Sequence, residues 1–268
     1  MASILITGAS AGIGRATALE LTQRGHEVWG TARRLERLPV MARFHPLKLD
    51  LSIPDLLSRA VRGACAESGG FDVLINNAGE AVFAALEDVA QSSLEDQFQT
   101  LVFAPVAIAR ELLPELRARR GLIVNVSSLA ARLPIPFMAP YSAAKAALAA
   151  LSWSLQLELE PHGVRVVDVQ PGDIDTTFHH AMLHPDLAPA SAYAPAMRKV
   201  LDLNERSMLK GPGPELVARA IADIVEHRRQ RRSPLVLGTV FQSRVVPLAL
   251  RLFPAPLMRY CVKRYYRL

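Results

Sequence analysis

An early loop of the chain reads Thr7-Gly-Ala-Ser-Ala-Gly-Ile-Gly14, and it lies between the apolar run Ser3–Ile6 and a stretch with helical spacing. Its glycines, Gly8, Gly12 and Gly14, permit positive φ angles and allow backbone N–H groups to approach a pyrophosphate closely. The N-terminus of the following helix adds a favourable partial charge for an anion. The spacing Gly-x3-Gly-x-Gly differs from the general fingerprint Gly-x-Gly-x2-Gly, so a tight turn without a ligand is the alternative interpretation.

Short apolar runs alternate with longer stretches of helical periodicity along most of the chain. The predicted strands are Ser3–Ile6, Glu27–Thr31, Pro46–Leu49, Val73–Ile75, Leu122–Val126, Val164–Val169 and Leu235–Gly238. The predicted helices are Ile13–Arg24, Pro54–Glu67, Ser92–Arg119, Tyr141–Glu160 and Pro214–His227. Such alternation is typical of a doubly wound parallel sheet with helices on both faces. We therefore predict a single α/β domain with a Rossmann fold over residues 1–240.

Two segments depart from this alternation. Residues 173–213 are rich in Pro, His, Ala and Met and follow the carboxyl end of a strand, where ligand loops lie in doubly wound sheets. We expect a partly helical, mobile substrate flap there. Residues 241–268 form a basic and apolar C-terminal extension, which we expect to pack on the domain or on a surface.

The net charge of +6 is unevenly distributed along the 268 residues. The stretch from His227 to Leu268 holds ten Lys/Arg and no Asp/Glu, and the remaining 21 basic residues face 25 acidic ones elsewhere. We favour a C-terminal extension that packs over the substrate cleft or a partner subunit, and weak contact with an anionic membrane surface is the alternative. No nucleic-acid partner is predicted, because basic residues alone do not make a base-reading module.

Two further features bear on location and on metals. The chain has two cysteines and no signal-peptide pattern at its start, which predicts a cytoplasmic protein, with attachment to a membrane surface as the variant. His179, His180 and His184 lie close together, but no cysteine or acidic cluster completes a ligand set, so no metal site is predicted.

The end of the second predicted strand indicates which dinucleotide binds. NAD sites usually present a carboxylate to the ribose 2′-hydroxyl, whereas NADP sites present arginine to the 2′-phosphate. Here Arg33 and Arg34 follow the strand and no acid precedes them. Guanidinium groups make charge-assisted contacts with phosphate, so we predict NADP(H). Two solvated charges at a helix start are the alternative.

Ser128, Tyr141 and Lys145 follow the glycine loop in the order Ser-x12-Tyr-x3-Lys. Carbonyl reduction adds hydride to carbon while the oxygen needs a proton, which a tyrosine hydroxyl can donate. Its ordinary pKa of about 10 is high for this task, and we expect a nearby Lys145 ammonium to lower the pKa of Tyr141. Ser128 supplies a hydrogen bond to the developing oxyanion. A helix start with a packed tyrosine is the alternative interpretation.

With these motifs, the chain resembles the short-chain dehydrogenase/reductase family over about residues 2–240. The motifs that carry the resemblance are Thr7–Gly14, Asn76-Asn77-Ala78-Gly79, the Ser128/Tyr141/Lys145 set, and Pro171-Gly172 with Thr176. The resemblance implies hydride transfer between NADP(H) and a carbonyl/alcohol pair. The apolar flap suggests a hydrophobic ketone or secondary alcohol of lipid-like, steroid-like or aromatic type.

The resemblance also implies residue roles. Asp50 and Leu51 would flank the adenine, Ala32 stands where NAD-using members carry an acid, and Lys145 would hold the nicotinamide ribose. The implied cofactor-binding residues are Gly8, Ser10, Gly12, Ile13, Gly14, Arg33, Arg34, Asp50, Leu51, Asn77, Ala78, Gly79, Tyr141, Lys145, Pro171, Gly172, Ile174 and Thr176. Family members commonly associate through their long helices, which implies a homodimer or homotetramer.

One position departs from the family pattern. Many members carry an asparagine in the long helix before the active-site strand, where it positions a water for proton relay to the lysine. Leu101 stands at the matching position here and cannot hydrogen-bond such a water. Proton supply through Thr100 or a backbone carbonyl is one hypothesis, and a slow or non-catalytic NADP-binding regulatory protein is the alternative function.

Overall fold

The computed structural model describes residues 1–178, 182, 191–226 and 233–268. Within these ranges, seven parallel strands form one sheet in the order β3-β2-β1-β4-β5-β6-β7. The strands are β1 Ser3–Ile6, β2 Glu27–Ala32, β3 Phe44–Lys48, β4 Val73–Asn76, β5 Leu122–Val126, β6 Arg165–Pro171 and β7 Leu235–Leu237. The predicted doubly wound α/β fold is confirmed.

The helices cover both faces of this sheet. They are α1 Gly12–Gln23, α2 Pro54–Ser68, α3 Gln91–Phe98, α4 Ala104–Arg119, α5 Ala139–Leu159, α6 Ala194–Leu209, α7 Glu215–Glu226, α8 Val246–Leu252 and α9 Ala255–Tyr266. Successive side chains of a strand point to opposite faces, so Ile4 and Ile6 pack towards α1 and α7, whereas Leu5 packs towards α2 and α4. Both faces of the central strands β1, β2, β4, β5 and β6 are therefore buried, whereas the edge strands β3 and β7 are partly exposed.

The predicted helix Ser92–Arg119 is interrupted. A wide π turn over Gln99–Phe103 separates α3 from α4. Pro105 explains the interruption, because it has no N–H to donate to the Leu101 carbonyl four residues earlier and its ring crowds that carbonyl. The widened turn leaves Leu101 buried at 1% exposure.

The flap and the C-terminal extension are described in part. Within the flap the structure contains α6, while residues 179–181 and 183–190, with His179, His180 and His184, lie outside the described residues. The extension forms α8 and α9, which Pro254 separates. Among the helices described here, none is long and apolar enough to cross a bilayer. The mobility of the flap and the domain boundary at residue 240 stay predictions.

The order of strands reverses between β1 and β4, where the glycine loop meets the segment after β4. The Thr7 hydroxyl oxygen accepts hydrogen bonds from the backbone N–H groups of Asn77 and Ala78, both at 3.0 Å. The Asn77 side-chain amide donates to the Thr7 carbonyl at 2.9 Å. A Cβ at Gly14 would lie 2.1 Å from the Gly8 carbonyl oxygen and 2.3 Å from Asn77 Nδ2. The contact between the glycine loop and the segment after β4 therefore leaves no space for a side chain at Gly14.

We expect Gly14→Ala to destabilise the protein, because neither the Gly8 backbone nor the tethered Asn77 amide can move away from the new methyl group. Overpacking of this kind costs about 1–3 kcal/mol. The matched control is Gly63→Ala, at an exposed position of α2 where a Cβ meets nothing within 4 Å. That change should stabilise by about 0.5–1 kcal/mol. Urea unfolding curves for both variants measure the difference, and equal stabilities would contradict this account of the contact.

Candidate active site

A cavity of about 730 Å³ opens at the carboxyl ends of the strands. Apart from Arg34, every predicted site residue lies in its wall. These wall residues are Gly8, Ser10, Gly12, Ile13, Gly14, Arg33, Asp50, Leu51, Asn77, Ala78, Gly79, Ser128, Tyr141, Lys145, Pro171, Gly172, Ile174 and Thr176. Residues far apart in sequence meet here because parallel strands all end at the same edge of the sheet.

The first part of the wall is the cradle that the glycine loop forms at the N-terminus of α1. Gly8 and Gly12 have φ angles of +72° and +51°, in the left-handed region that favours glycine. A Cβ at Gly8 would lie 2.8 Å from the Ala78 Cα, so the backbones are in contact. Within the described residues, no side chain caps α1 and no acidic residue occupies its first turn. Its first N–H groups thus suit a pyrophosphate.

The adenosine end of the cavity carries two arginines, Arg33 and Arg37. Arg33 is 72% exposed and lies 3.9 Å from the Glu80 carboxylate across the cleft, so its guanidinium can turn towards a phosphate. Arg34, which we predict in this role, lies outside the cavity wall, whereas Arg37, outside the predicted set, lies in the wall. Arg37 follows Arg33 by four residues in the sequence. The turn Leu35–Arg37 brings both arginines to the wall of the cavity.

Tyr141 and Ser128 lie at the opposite end of the cavity. The Tyr141 hydroxyl is hydrogen-bonded to Ser128, whose oxygen also accepts from the Ala130 N–H at 3.1 Å. The two hydroxyl groups therefore lie next to each other in residues that line the cavity. Burial raises the pKa of Tyr141 to about 12, and the hydrogen bond with Ser128 opposes this shift.

Lys145 lies one helical turn after Tyr141 on α5. Its ammonium group donates to the Val126 carbonyl at 2.8 Å and lies 5.9 Å from the centroid of the Tyr141 ring. Burial lowers the pKa of Lys145 to about 8, and the negative charge of Asp168 opposes this shift. The expectation that Lys145 lowers the pKa of Tyr141 is therefore wrong for this arrangement. Burial is the largest cause of the pKa shift of each side chain.

Asp168 is a buried carboxylate beside this site that the sequence did not reveal. Its side chain accepts hydrogen bonds from the Ser127 hydroxyl and from the Gln170 amide, the latter at 2.7 Å. Burial raises the pKa of Asp168, while these donors and the charge of Lys145 lower it. Asp168 pairs in register with Asn125 of β5, one residue before the Val126 carbonyl that holds Lys145. A negative charge thus faces the lysine from inside the sheet.

A line of buried amides fixes the helix that carries Tyr141 and Lys145. The Asn76 amide donates to Asn125 Oδ1 at 2.8 Å, and the Asn125 amide donates to Ser152 Oγ at 2.8 Å. Ser152 belongs to α5, so two strands and the helix share one hydrogen-bonded chain. These hydrogen bonds thereby tie α5 to the sheet.

Leu101 occupies the region where the resemblance implies an asparagine. A Cβ at Gly79 would lie 3.5 Å from Leu101 Cδ2 and 3.8 Å from Lys145 Nζ, so leucine and lysine flank the same glycine. Thr100 lines the cavity, but its hydroxyl donates to Glu80 Oε1 at 3.4 Å. The hydroxyl proton of Thr100 is thus directed to a carboxylate and not to Lys145.

The flap and the C-terminal extension form the apolar part of the wall, and Asp173 joins them. Its carboxylate accepts from the Ser207 hydroxyl of α6 and from the Gln242 amide of the extension, the latter at 2.6 Å. The Tyr266 hydroxyl donates to Asn204 Oδ1 at 3.2 Å and ties α9 to α6. Apolar residues of these segments in the wall include Phe178, Met182, Met208, Val246, Ala249, Phe253, Met258 and Val262.

In the described ranges, no group of three or more His, Cys, Asp or Glu side chains is arranged to hold a metal ion.

A family model described as short chain dehydrogenase matches residues 2–186, more than half of the chain. The chain belongs to the short chain dehydrogenase family. Its oxidoreductase class follows from this membership, as the motifs predicted.

Two curated relatives of the family are similar in sequence. The 3-ketodihydrosphingosine reductase of Bacteroides thetaiotaomicron is 34% identical over 98% of this chain and 97% of the relative. The serine 3-dehydrogenase of Agrobacterium fabrum is 36% identical over 66% of this chain and 73% of the relative. Their names give two unlike substrates, so membership in the short chain dehydrogenase family does not by itself choose one.

Two solved structures are also similar. A short-chain dehydrogenase from Streptomyces avermitilis shares 34% identity at a TM-score of 0.75, over 88% of this chain and 87% of that chain. A metagenomic short-chain oxidoreductase in complex with NADP shares 28% identity at a TM-score of 0.70, over 88% of this chain and 96% of that chain. Short chain dehydrogenases thus include NADP-bound proteins similar to this one.

The positions of the arginines lead to a test of cofactor choice. We expect Arg33→Ala to raise the dissociation constant for NADPH about tenfold or more, because a charge-assisted hydrogen bond contributes about 1.5–3 kcal/mol. Arg37→Ala should act in the same direction, and the affinity for NADH should change little. Arg34→Ala is the matched control and should leave both affinities unchanged. Fluorescence titrations with the two cofactors measure these constants, and tighter binding of NADH by the wild type would contradict the assignment.

Proposed function

We propose that this protein is an NADP(H)-dependent oxidoreductase that interconverts a hydrophobic ketone and the corresponding secondary alcohol, with Tyr141 as general acid and base. The observation that carries the proposal is the convergence of Ser128, Tyr141 and Lys145 on the cavity that also contains the glycine loop. The phosphate cradle and the proton donor therefore open into one continuous space.

The residues of the chain suit the reduction of a carbonyl. NADPH, when bound, supplies the hydride that is added to the carbonyl carbon. The Tyr141 hydroxyl donates its proton to the carbonyl oxygen, and Ser128 donates a hydrogen bond to that oxygen as negative charge develops there. A pKa of about 12 keeps Tyr141 protonated at neutral pH. The positive charge of Lys145 stabilises the phenolate that remains after the proton has left Tyr141.

Two observations support NADP(H) over NAD(H). Arg33 and Arg37 line the adenosine end of the cavity, and β2 ends in Ala32 without a carboxylate that could bind a ribose 2′-hydroxyl. The Glu80 carboxylate near Arg33 makes a weak pair at 3.9 Å, which a phosphate dianion can replace. The NADP complex of the metagenomic relative supports the same choice.

The C-terminal wall supports a long apolar substrate. Val246 of α8, Phe253 between the two helices and Val262 of α9 line the same cavity as Tyr141 with aliphatic and aromatic groups. The alignment with the 3-ketodihydrosphingosine reductase covers 98% of this chain and therefore includes part of α9. The alignment with the serine 3-dehydrogenase covers only 66% of this chain. We therefore assign a lipid-like, long-chain ketone as the substrate class.

A second candidate function is an NADP-binding regulatory protein with slow or no turnover. Leu101 favours it, because an aliphatic side chain beside Lys145 cannot hold a relay water. The hydrogen bond between Ser128 and Tyr141 favours the enzyme, because it aligns two hydroxyl groups that cofactor binding alone does not require.

The proposal includes a homodimer or homotetramer. Trp153 and Leu157 lie four residues apart on α5 and are 70% and 65% exposed, and Phe103 next to α4 is 57% exposed. Exposed large apolar side chains on one helix face are typical of an interface between subunits. This surface lies on the two helices for which the resemblance implies association.

We expect Tyr141→Phe to lower kcat/KM for ketone reduction about 100-fold or more, because general acid catalysis contributes about 10²–10⁴-fold. The NADPH dissociation constant should stay within a few-fold, since the ring is kept. The matched control is Tyr193→Phe at an exposed tyrosine outside the cavity wall, which should keep full turnover. Absorbance of NADPH follows the reaction. Unchanged turnover in Tyr141→Phe would exclude the assigned role, and absence of turnover in the wild type across a ketone panel would favour the regulatory protein.

The substrate class is tested with a series of 3-keto compounds of increasing chain length. We expect kcat/KM to rise about fourfold per methylene until the cavity is filled, because burial of each methylene contributes about 0.8 kcal/mol. Val262→Ala, in the cavity wall, should reduce the rise. Leu248→Ala, at an exposed position of α8 outside the wall, should leave it unchanged. A higher kcat/KM for oxidation of serine than for reduction of any long-chain ketone would contradict the class.

A further inference from the structure

The outer surface of the C-terminal extension, residues 241–268, carries positive charge alone. Its six cations are Arg244, Arg251, Arg259, Lys263, Arg264 and Arg267, and all are exposed. The sequence has no acidic residue from position 227 to the C-terminus. None of the six forms an ion pair with any residue that the structure describes. Their charge is thus available to an anionic partner.

Large apolar side chains are exposed among these cations. Leu248 and Leu252, one turn apart on α8, are 56% and 65% exposed, and Tyr260 on α9 is 64% exposed. Further exposed apolar residues of the extension are Phe241, Val245, Phe253, Leu257, Tyr265 and Leu268. A pair of short helices that exposes this many large apolar side chains is typical of an interaction surface.

The mouth of the cavity opens within this surface. Phe241, Phe253 and Tyr265 line the cavity and are 61%, 44% and 52% exposed, so they lie where the cavity meets the outside. The opposite faces of the same helices bury Val246 and Tyr266 against the domain. The extension therefore has one face in the cavity wall and one face outwards, and the two faces meet at the mouth.

The combination of cations and exposed apolar side chains on this surface decides which kind of partner can bind there. A second copy of the chain related by a two-fold axis would bring six cations against six cations, because such an interface uses the same surface twice. A nucleic acid would satisfy the cations and leave the exposed leucines without apolar contacts. An anionic bilayer satisfies both, since phosphates meet the arginines while leucine and aromatic side chains enter the acyl boundary. The short helices on either side of Pro254 suit a position in the plane of the bilayer.

We infer that the outer face of α8 and α9 docks on the surface of an anionic lipid bilayer, with the cavity mouth facing the lipid. The extension binds through apolar insertion together with attraction between its cations and lipid phosphates. Vesicle binding is measured without turnover, so its outcome is independent of the proposed reductase activity.

The test compares sedimentation of the full-length protein with phosphatidylcholine vesicles and with vesicles in which about a third of the lipid is phosphatidylserine. We expect pelleting with the anionic vesicles that falls as salt is raised, and little pelleting with phosphatidylcholine alone. The triple variant Arg259→Gln/Lys263→Gln/Arg264→Gln should pellet at least tenfold less. The matched control Arg59→Gln/Arg110→Gln/Arg117→Gln removes three exposed cations elsewhere and should pellet as the wild type does.

A second variant keeps the charge and removes the apolar contacts. Leu248→Ser/Leu252→Ser should reduce pelleting while the NADPH dissociation constant stays unchanged, which shows that the fold is intact. Wild type that remains in the supernatant with anionic vesicles would overturn the inference, as would equal pelleting of the two triple variants. Sedimentation velocity completes the test. Conversion of an oligomer into monomers by the extension variants would instead identify this surface as an interface between copies, and would also overturn the inference.

Discussion

The active site depends on the close approach between the glycine loop after β1 and the segment after β4. Thr7 and Asn77 join these two segments through hydrogen bonds of about 3 Å, and the space between them leaves no room for a side chain at Gly14. Because β1 and β4 are neighbours at the reversal of strand order, a crevice forms between the loops that follow them. This contact holds the cradle at the N-terminus of α1 in place. The other residues of the wall line the same cavity as this cradle.

Burial is the main cause of the pKa shifts of Tyr141 and Lys145. Tyr141 and Lys145 are both removed from water, which raises the pKa of the phenol to about 12 and lowers the pKa of the ammonium to about 8. The Asp168 carboxylate opposes the effect on Lys145 from inside the sheet, and Ser128 opposes the effect on Tyr141. Leu101, which is buried beside Gly79 and Lys145, has no polar group in its side chain. The polar groups that act on these two pKa values are Asp168 and Ser128 at the sheet edge, and Leu101 supplies no amide from the preceding helix.

The C-terminal extension adds apolar side chains to the wall of the cavity that also contains the glycine loop. Gln242 is tied to Asp173 and Tyr266 to Asn204, so the extension is fastened to the flap through polar contacts while its aliphatic side chains face inwards. The same helices present leucines and arginines outwards. The face towards the cavity and the outward face thus belong to one short segment, which Pro254 divides into two helices.

The sequence by itself determined the sheet and the order of its elements, and it named a set of residues that, apart from Arg34, line one cavity, because apolar periodicity and the spacing of glycine, tyrosine and lysine are local patterns. It did not determine the break before α4, since that depends on where the Pro105 ring meets a carbonyl. It placed Arg34 with Arg33, whereas the turn Leu35–Arg37 brings Arg37 to the cavity. Only the tertiary structure decided the roles of Asp168 and of burial at Tyr141, because a pKa depends on neighbours from distant parts of the chain and on exclusion of water, and neither leaves a pattern in consecutive residues.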